Sequence, residues 1–178
     1  MSIAFAVSYG EKVRAAGSQF YVAIKLSEGE SPYYLETLHQ HTDGFVMVKN
    51  ATEMQDVRAW FEADCHFDEL NRVIIHGGAP CVKVWRNWLS VYREGLRKDV
   101  VCIASAYGPM QCMLKGVCAQ CLQWQIDPKT GKRTKAVYTC SWQDQPMDIV
   151  DWSTVDERLA QNHTQETLSA FWLDNIIL

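Results

Sequence analysis

The sequence predicts an α/β protein: a parallel sheet with flanking helices, followed by a small C-terminal cysteine-bearing module. Three observations carry this. Short, wholly apolar runs, such as residues 73–75 and 100–104, recur along the first hundred residues. Between them lie stretches whose apolar residues repeat at helical spacing. Strands covered on both faces read as continuous apolar runs, and strands alternating with helices pair in parallel. The pattern breaks at Gly108-Pro109, after which cysteines cluster.

Taken in order, the first segment fits two readings. Ile3, Phe5, Val7 and Tyr9 alternate as a strand would, while Ile3, Val7, Gly10 and Arg14 suit a helix. Residues 13–16 close a helical stretch, and Gly17 is its stop signal. Residues 19–26 are apolar and β-rich. Ser31-Pro32 reads as a helix N-cap with proline in the first turn, and Leu35 and Leu38 follow at helical spacing. Residues 45–48 form a short buried strand, and Met54, Val57 and Phe61 mark the next helix. Residues 73–75 are a strand running into Gly77-Gly78, Val82, Trp85 and Leu89 mark a helix, and residues 100–104 are a further strand. Asp127-Pro128-Lys129-Thr130-Gly131 is a turn between residues 122–126 and 135–139, which makes a β-hairpin. Val155, Leu159, Leu168, Phe171 and Trp172 give helical spacing to a tail expected to pack back on the body. The expected division is an α/β region at 1–106, a cluster-binding module at 107–152 and a helical segment at 153–178.

A chain of 178 residues with 48% hydrophobic and 21% charged residues can bury a real core. Its formal net charge of -4 argues against nucleic acid as a partner, because phosphate binding requires clustered positive charge. No apolar run is long enough to cross a bilayer, and no basic-then-apolar leader opens the chain, so no membrane insertion and a cytoplasmic location are expected. Seven cysteines is an odd count for a disulfide framework. In a reducing compartment, clustered cysteines point instead to metal or redox chemistry.

In parallel α/β sheets the ligand crevice lies at the carboxyl ends of the strands. His76-Gly77-Gly78-Ala79-Pro80 sits at such an end. Glycines there admit a ligand close to the backbone, and the following helix N-terminus favours an anion. A plain tight turn explains the same residues equally well. No G-x-G-x-x-G dinucleotide loop accompanies the first segment.

Cys112, Cys118, Cys121 and Cys140 carry the strongest signal. Plant-type [2Fe–2S] proteins use C-x4-C-x2-C and a distant fourth cysteine, and here the first gap is one residue longer. Two irons need four thiolates; one tight loop delivers three, and a separate strand supplies the fourth. Gly116 lets that loop curl so that backbone amides reach cluster sulfurs. A structural Zn(Cys)4 site is the competing reading, although zinc ribbons usually show two C-x2-C knuckles and this chain has one. The third reading is that these cysteines are simply buried. Cys65, Cys81 and Cys102 read as packing residues. Lys129, Lys132, Arg133 and Lys135 form a basic turn, a docking patch for an acidic electron carrier or, more simply, a solvated hairpin tip. Trp124 and Trp142 either shield the cluster from water or merely pack. The five histidines show no ligand spacing.

The stretch from Gly108-Pro109 through Cys112, Gly116, Cys118 and Cys121, with Asp127 to Gly131, Thr139-Cys140 and Gln143-Asp144-Gln145, resembles the electron-transfer subunit of dihydroorotate dehydrogenase and its relatives. These relatives include the ferredoxin-reductase-like modules attached to glutamate synthase-type flavoproteins. The likeness is specific over roughly residues 107–152 and looser over 9–106, which resembles the nucleotide half of a ferredoxin reductase. It implies an electron-transfer subunit within a larger NAD(P)H- and flavin-dependent oxidoreductase complex. In that family NAD(P)H reduces FAD, and FAD feeds single electrons to a [2Fe–2S] cluster. The matching ligands are Cys112, Cys118, Cys121 and Cys140, and Gly77 and Gly78 fall where the family has a loop near the nicotinamide. Two parts of the family pattern are missing: the FAD-binding β-barrel and the glycine-rich loop. The resemblance therefore does not carry over NAD(P)H binding by this chain alone. It places FAD on a flavoprotein partner subunit, in a hetro-oligomer where this chain is not itself a complete enzyme. A structural or assembly subunit stabilised by zinc is the alternative.

Overall fold

The computed structural model describes residues 2–26, 34–50, 53–107, 121–157, 167–168, 171–172 and 175. The fold is mixed α/β, with small sheets and helices. The chain divides into two compact units: residues 1–73 with 84–101, and residues 74–83 with 102–178.

The first unit opens with helix α1 (Ser2–Ala15), which settles the ambiguous N-terminal segment as helical. Lys12 and Arg14 in its last turn complement the helix dipole, and Gly17 beyond it has φ +78°, a conformation glycine adopts without strain. Phe5 and Tyr9 stack one turn apart, with ring centroids 5.2 Å apart, as residues four apart in a helix can. Strand β1 (Tyr21–Lys25) pairs in parallel with β2 (Gly44–Val48), from Tyr21 opposite Gly44 to Lys25 opposite Val48. Helix α2 (Leu35–His41) connects them and buries Leu38 completely. The Ser31-Pro32 cap expected before it lies outside the described residues. Ala6, Ile24, Leu26 and Leu38 form the core here.

Gly10 lets α1 approach α2 closely. A Cβ at this position would collide with the His41 carbonyl oxygen and fall within 2.8 Å of the Phe20 ring. Glycine inside a helix costs about 1 kcal/mol relative to alanine; close packing is what this one permits.

Helix α3 (Glu53–Asp64) begins with a reciprocal cap. The Glu53 backbone N–H donates to Asn50 Oδ1 at 2.9 Å, and the Glu53 carboxylate accepts from Lys49 N and Asn50 Nδ2. Val57 from this helix packs with Val48, and Phe61, Trp85 and Trp88 flank the pair.

Strand β3 (Arg72–Gly78) runs directly into helix α4 (Ala79–Tyr92), and residues 74–83 of this stretch belong to the second unit. Gly77 and Gly78 are the last residues of the strand, where the sequence suggested a loop. Strand β4 (Val101–Tyr107) lies beside β3 and carries the two-residue strand β7 (Gln145–Pro146) antiparallel on its other side. Among the described residues, β1 and β2 form one hydrogen-bonded sheet and β3, β4 and β7 another, where a single parallel sheet was expected. Residues 3–9 cannot join either sheet as a strand because they are helical.

Strands β5 (Leu122–Ile126) and β6 (Arg133–Tyr138) form the expected hairpin, antiparallel from Leu122 opposite Tyr138, with a bulge between Trp124 and Ile126. Gly131 closes its turn at φ +67°. Residues 152–157 form a short helix, with Val155 buried beside Val150. Leu168, Phe171 and Trp172 depart from expectation: they are 64%, 67% and 66% exposed instead of packed on the body. Helical apolar spacing identifies a face and not what covers it.

Candidate metal centre

The hairpin brings two of the four expected ligands together. Cys121 immediately precedes β5 and Cys140 follows β6, so antiparallel pairing returns the chain to its starting point after nineteen residues. The Thr139 N–H donates to the Cys121 carbonyl at 3.0 Å and fixes the two backbones side by side. Cys121 Sγ then lies 3.6 Å from Cys140 Sγ. Cys140 is exposed and Cys121 half-buried. Cys112 and Cys118 lie outside the described residues. Among the described residues, no three His, Cys, Asp or Glu side chains converge as a metal cage.

The separation tests whether the pair fits a metal. A disulfide would place the sulfurs about 2.05 Å apart. A tetrahedral metal bound about 2.3 Å from each sulfur sets them ~3.8 Å apart. The observed 3.6 Å is an S–H···S contact from Cys121 to Cys140, a spacing compatible with two ligands of one metal, and thiolates are the donors that both iron–sulfur clusters and zinc take. Burial alone would push the Cys121 thiol up. The backbone hydrogen bond from Cys140, the Cys140 and Thr139 side chains and the local backbone outweigh it, holding the thiol below its ordinary range. Ser141 Oγ sits 3.9 Å from Cys140 Sγ. The Thr139 side chain hydrogen-bonds Cys121 while Ser141 Oγ lies beside Cys140, so hydroxyls accompany both thiols.

The far end of the hairpin is anchored by interactions that sequence reading missed. The sequence places Arg133 in a basic surface turn. Instead its Nε donates to Asp151 Oδ2 at 2.8 Å, and its Nη2 to Thr154 Oγ1 at 3.1 Å. Asp151 also accepts from Ser153 Oγ, from Thr154 Oγ1 at 3.0 Å and from the Thr154 backbone N–H. Burial would raise the Asp151 carboxyl, but the hydrogen bonds from Ser153, Arg133 and Thr154 hold it down at about 2. The Arg133 guanidinium also lies 5.6 Å from the Trp124 ring, and Lys135 Nζ lies 4.9 Å from the Trp142 ring. Gln145 is almost wholly buried: it accepts from Gln125 and donates to Gln123, both at 2.9 Å. β7 is thereby joined to β5 through side chains.

The remaining cysteines are placed by packing. Cys65 is buried, donates to the Phe61 carbonyl at 3.2 Å and has its thiol pushed up to about 12, first by burial and then by Asp64. Cys102 is buried in β4. Cys81 stands in the first turn of α4, against Gly77. A Cβ on Gly77 would meet Cys81 Cβ and Sγ at 3.3 Å, so this glycine admits the helix close to the strand. The first turn of α4 holds no acidic side chain, whereas Glu53 occupies the start of α3. Half-buried His76 precedes Gly77; burial lowers its pKa, and Asp144 opposes that shift.

No protein-family model matches the chain. A stretch of 60 residues is 42% identical to the uncharacterized protein RP006 of Rickettsia prowazekii (strain Madrid E). The match covers 34% of this chain and 8% of the Rickettsia protein. That relative is itself uncharacterized, so it brings no activity to this chain. No helix among the described residues is long and apolar enough to cross a membrane.

Proposed function

We propose that the chain is an electron-transfer component that holds a [2Fe–2S] cluster on Cys112, Cys118, Cys121 and Cys140. The observation that supports this best is the 3.6 Å separation of Cys121 Sγ and Cys140 Sγ, which suits two thiolates on one metal. The C-x5-C-x2-C run adds the other two thiolates from one loop. A bound cluster supplies one-electron transfer, which links a two-electron flavin to a one-electron carrier. The chain's own residues hold and position it. The hairpin sets the Cys121–Cys140 spacing, the Arg133–Asp151–Thr154 anchor braces β6, and the Thr139 amide ties the two ligand-bearing backbones together. In this reading the α/β region is related to a ferredoxin-reductase nucleotide domain. FAD sits on a flavoprotein partner subunit, and NAD(P)H is not bound by this chain alone, with Gly77 and Gly78 the residues nearest the family's nicotinamide loop.

The same sulfur spacing suits zinc, so a Zn(Cys)4 site in a structural or assembly subunit is the second reading. Metal analysis separates the two. Anaerobically purified protein is expected to hold about two irons per chain and no flavin, and Cys121→Ser and Cys140→Ser are expected to lose the iron. Cys65→Ala and Cys102→Ala should retain it. One zinc and no iron would refute the redox reading; iron retained by Cys140→Ser would refute the ligand assignment.

A further inference from the structure

We propose that Cys121 and Cys140 are a site of reversible oxidation, closing to an intramolecular disulfide when they meet a low-molecular-weight disulfide such as oxidised glutathione. The sulfurs are already 3.6 Å apart, and the Thr139–Cys121 backbone hydrogen bond holds the two chain ends in that relation. Bonding distance is about 2.05 Å, so closure requires an approach of roughly 1.5 Å, within reach of side-chain rotation and small backbone adjustment at the open end of a hairpin. Cys140 is exposed, which admits the disulfide reagent, and Cys121 lies alongside as the resolving thiol. Cys65 and Cys102 are buried and offer no such entry.

The chemistry balances in two exchanges. One cysteine sulfur attacks the glutathione disulfide, forms a mixed disulfide and releases one glutathione. The second cysteine sulfur attacks the protein-side sulfur of that mixed disulfide, forms the Cys121–Cys140 bond and releases the second glutathione. The protein pair loses two electrons and two protons, and both appear in the two glutathione thiols. The second exchange is intramolecular, with an effective concentration of millimolar order or above. With reduced glutathione at about 0.1 mM, the crosslink is therefore expected to exceed the mixed disulfide by roughly tenfold or more. One consequence rests on the metal reading above: the disulfide consumes two of the four ligands, so crosslinked protein should not take up metal.

The test uses the full chain, metal-stripped and reduced, then equilibrated with oxidised glutathione, acid-quenched, alkylated and digested with trypsin. The expected product joins peptide 116–129, which holds Cys118 and Cys121, to peptide 136–158, which holds Cys140. The double variant Cys112→Ser/Cys118→Ser removes the rival thiols and should give the same crosslink in similar yield. A Cys118–Cys121 bond within peptide 116–129, or glutathione adducts as the main product, would overturn the proposal. Failure of that crosslink in the double variant would do the same. Zinc uptake, measured on reduced and crosslinked protein, separates this from the metal reading. Metal bound by reduced protein that cannot be crosslinked refutes the proposal and leaves the metal reading standing. A crosslink in protein that, when reduced, takes up neither zinc nor a cluster on reconstitution with iron and sulfide supports the proposal and refutes the metal reading.

Discussion

Replacing Asp151 by Asn tests the anchor that braces the hairpin. The Asp151 side chain is only 9% exposed, whereas that of Arg133 is 49% exposed. The carboxylate therefore depends on its protein donors, while the guanidinium can rehydrate when the pair is lost. Asn keeps the size but removes the charge, and its amide turns donors toward Arg133 or the Ser153 and Thr154 hydroxyls. A carboxyl held at about 2 instead of 3.8 corresponds to just over 2 kcal/mol favouring the ionised folded state. Hydration of the exposed partner lowers this, so the expected cost is about 1–2 kcal/mol. For a chain of this size that is a fall in Tm of roughly 2–8 °C. The folded carboxyl titrates below its ordinary range, so its contribution is fully present above about pH 4 and is lost as pH falls through about 2. Urea unfolding of wild type and Asp151→Asn, followed by far-UV circular dichroism, should show the full gap at pH 7. The gap should narrow between pH 4 and pH 2. An Asn variant as stable as wild type at pH 7, or a gap that persists unchanged into acid, would refute the assigned role.

Gly10→Ala removes a helix-weakening residue, so propensity alone would stabilise α1 by about 1 kcal/mol. The added Cβ collides with the His41 carbonyl, and the predicted net outcome is a loss of about 1–3 kcal/mol, read from thermal melts. A stabilised variant would mean that α1 does not pack on α2 as described. Ser105 is fully buried in β4, and its hydroxyl has no hydrogen-bond partner among the described residues. Ser105→Ala should be neutral or stabilise by up to about 1 kcal/mol in urea unfolding, and a clear loss would reveal a partner for that hydroxyl. Gln145→Ala deletes the link between the Gln123 and Gln125 side chains and should cost about 1–3 kcal/mol; an unchanged midpoint would show that link to be dispensable.

The elements that were legible in the sequence are those specified by adjacent residues. The Asp127 to Gly131 turn fixed the hairpin, and the spacing of Val82, Trp85 and Leu89 fixed α4. Residues 3–9 were ambiguous because a few alternating apolar residues satisfy both periods; Ala4, Ala6 and the approach permitted by Gly10 favour the helix. Gly77-Gly78 suggested a loop because glycine usually punctuates, yet its missing Cβ serves here to seat Cys81. What stayed hidden was long-range pairing. Arg133 and Asp151 are eighteen residues apart, and Gln125 and Gln145 twenty; no local pattern joins them. At the candidate metal site the local pattern went further. The cysteine spacing proposed four ligands, the antiparallel hairpin brings Cys121 and Cys140 together, and nothing local distinguishes iron from zinc on thiolates.

Which metal these cysteines hold decides what the chain does. The measurement that decides it is low-temperature EPR of the anaerobically purified chain after dithionite reduction, with the spins counted per chain. The account predicts a reduced [2Fe–2S] signal approaching one spin per chain, absent from the protein as isolated in its oxidised state. A colourless, EPR-silent protein that carries zinc would contradict it and leave the four cysteines a structural site.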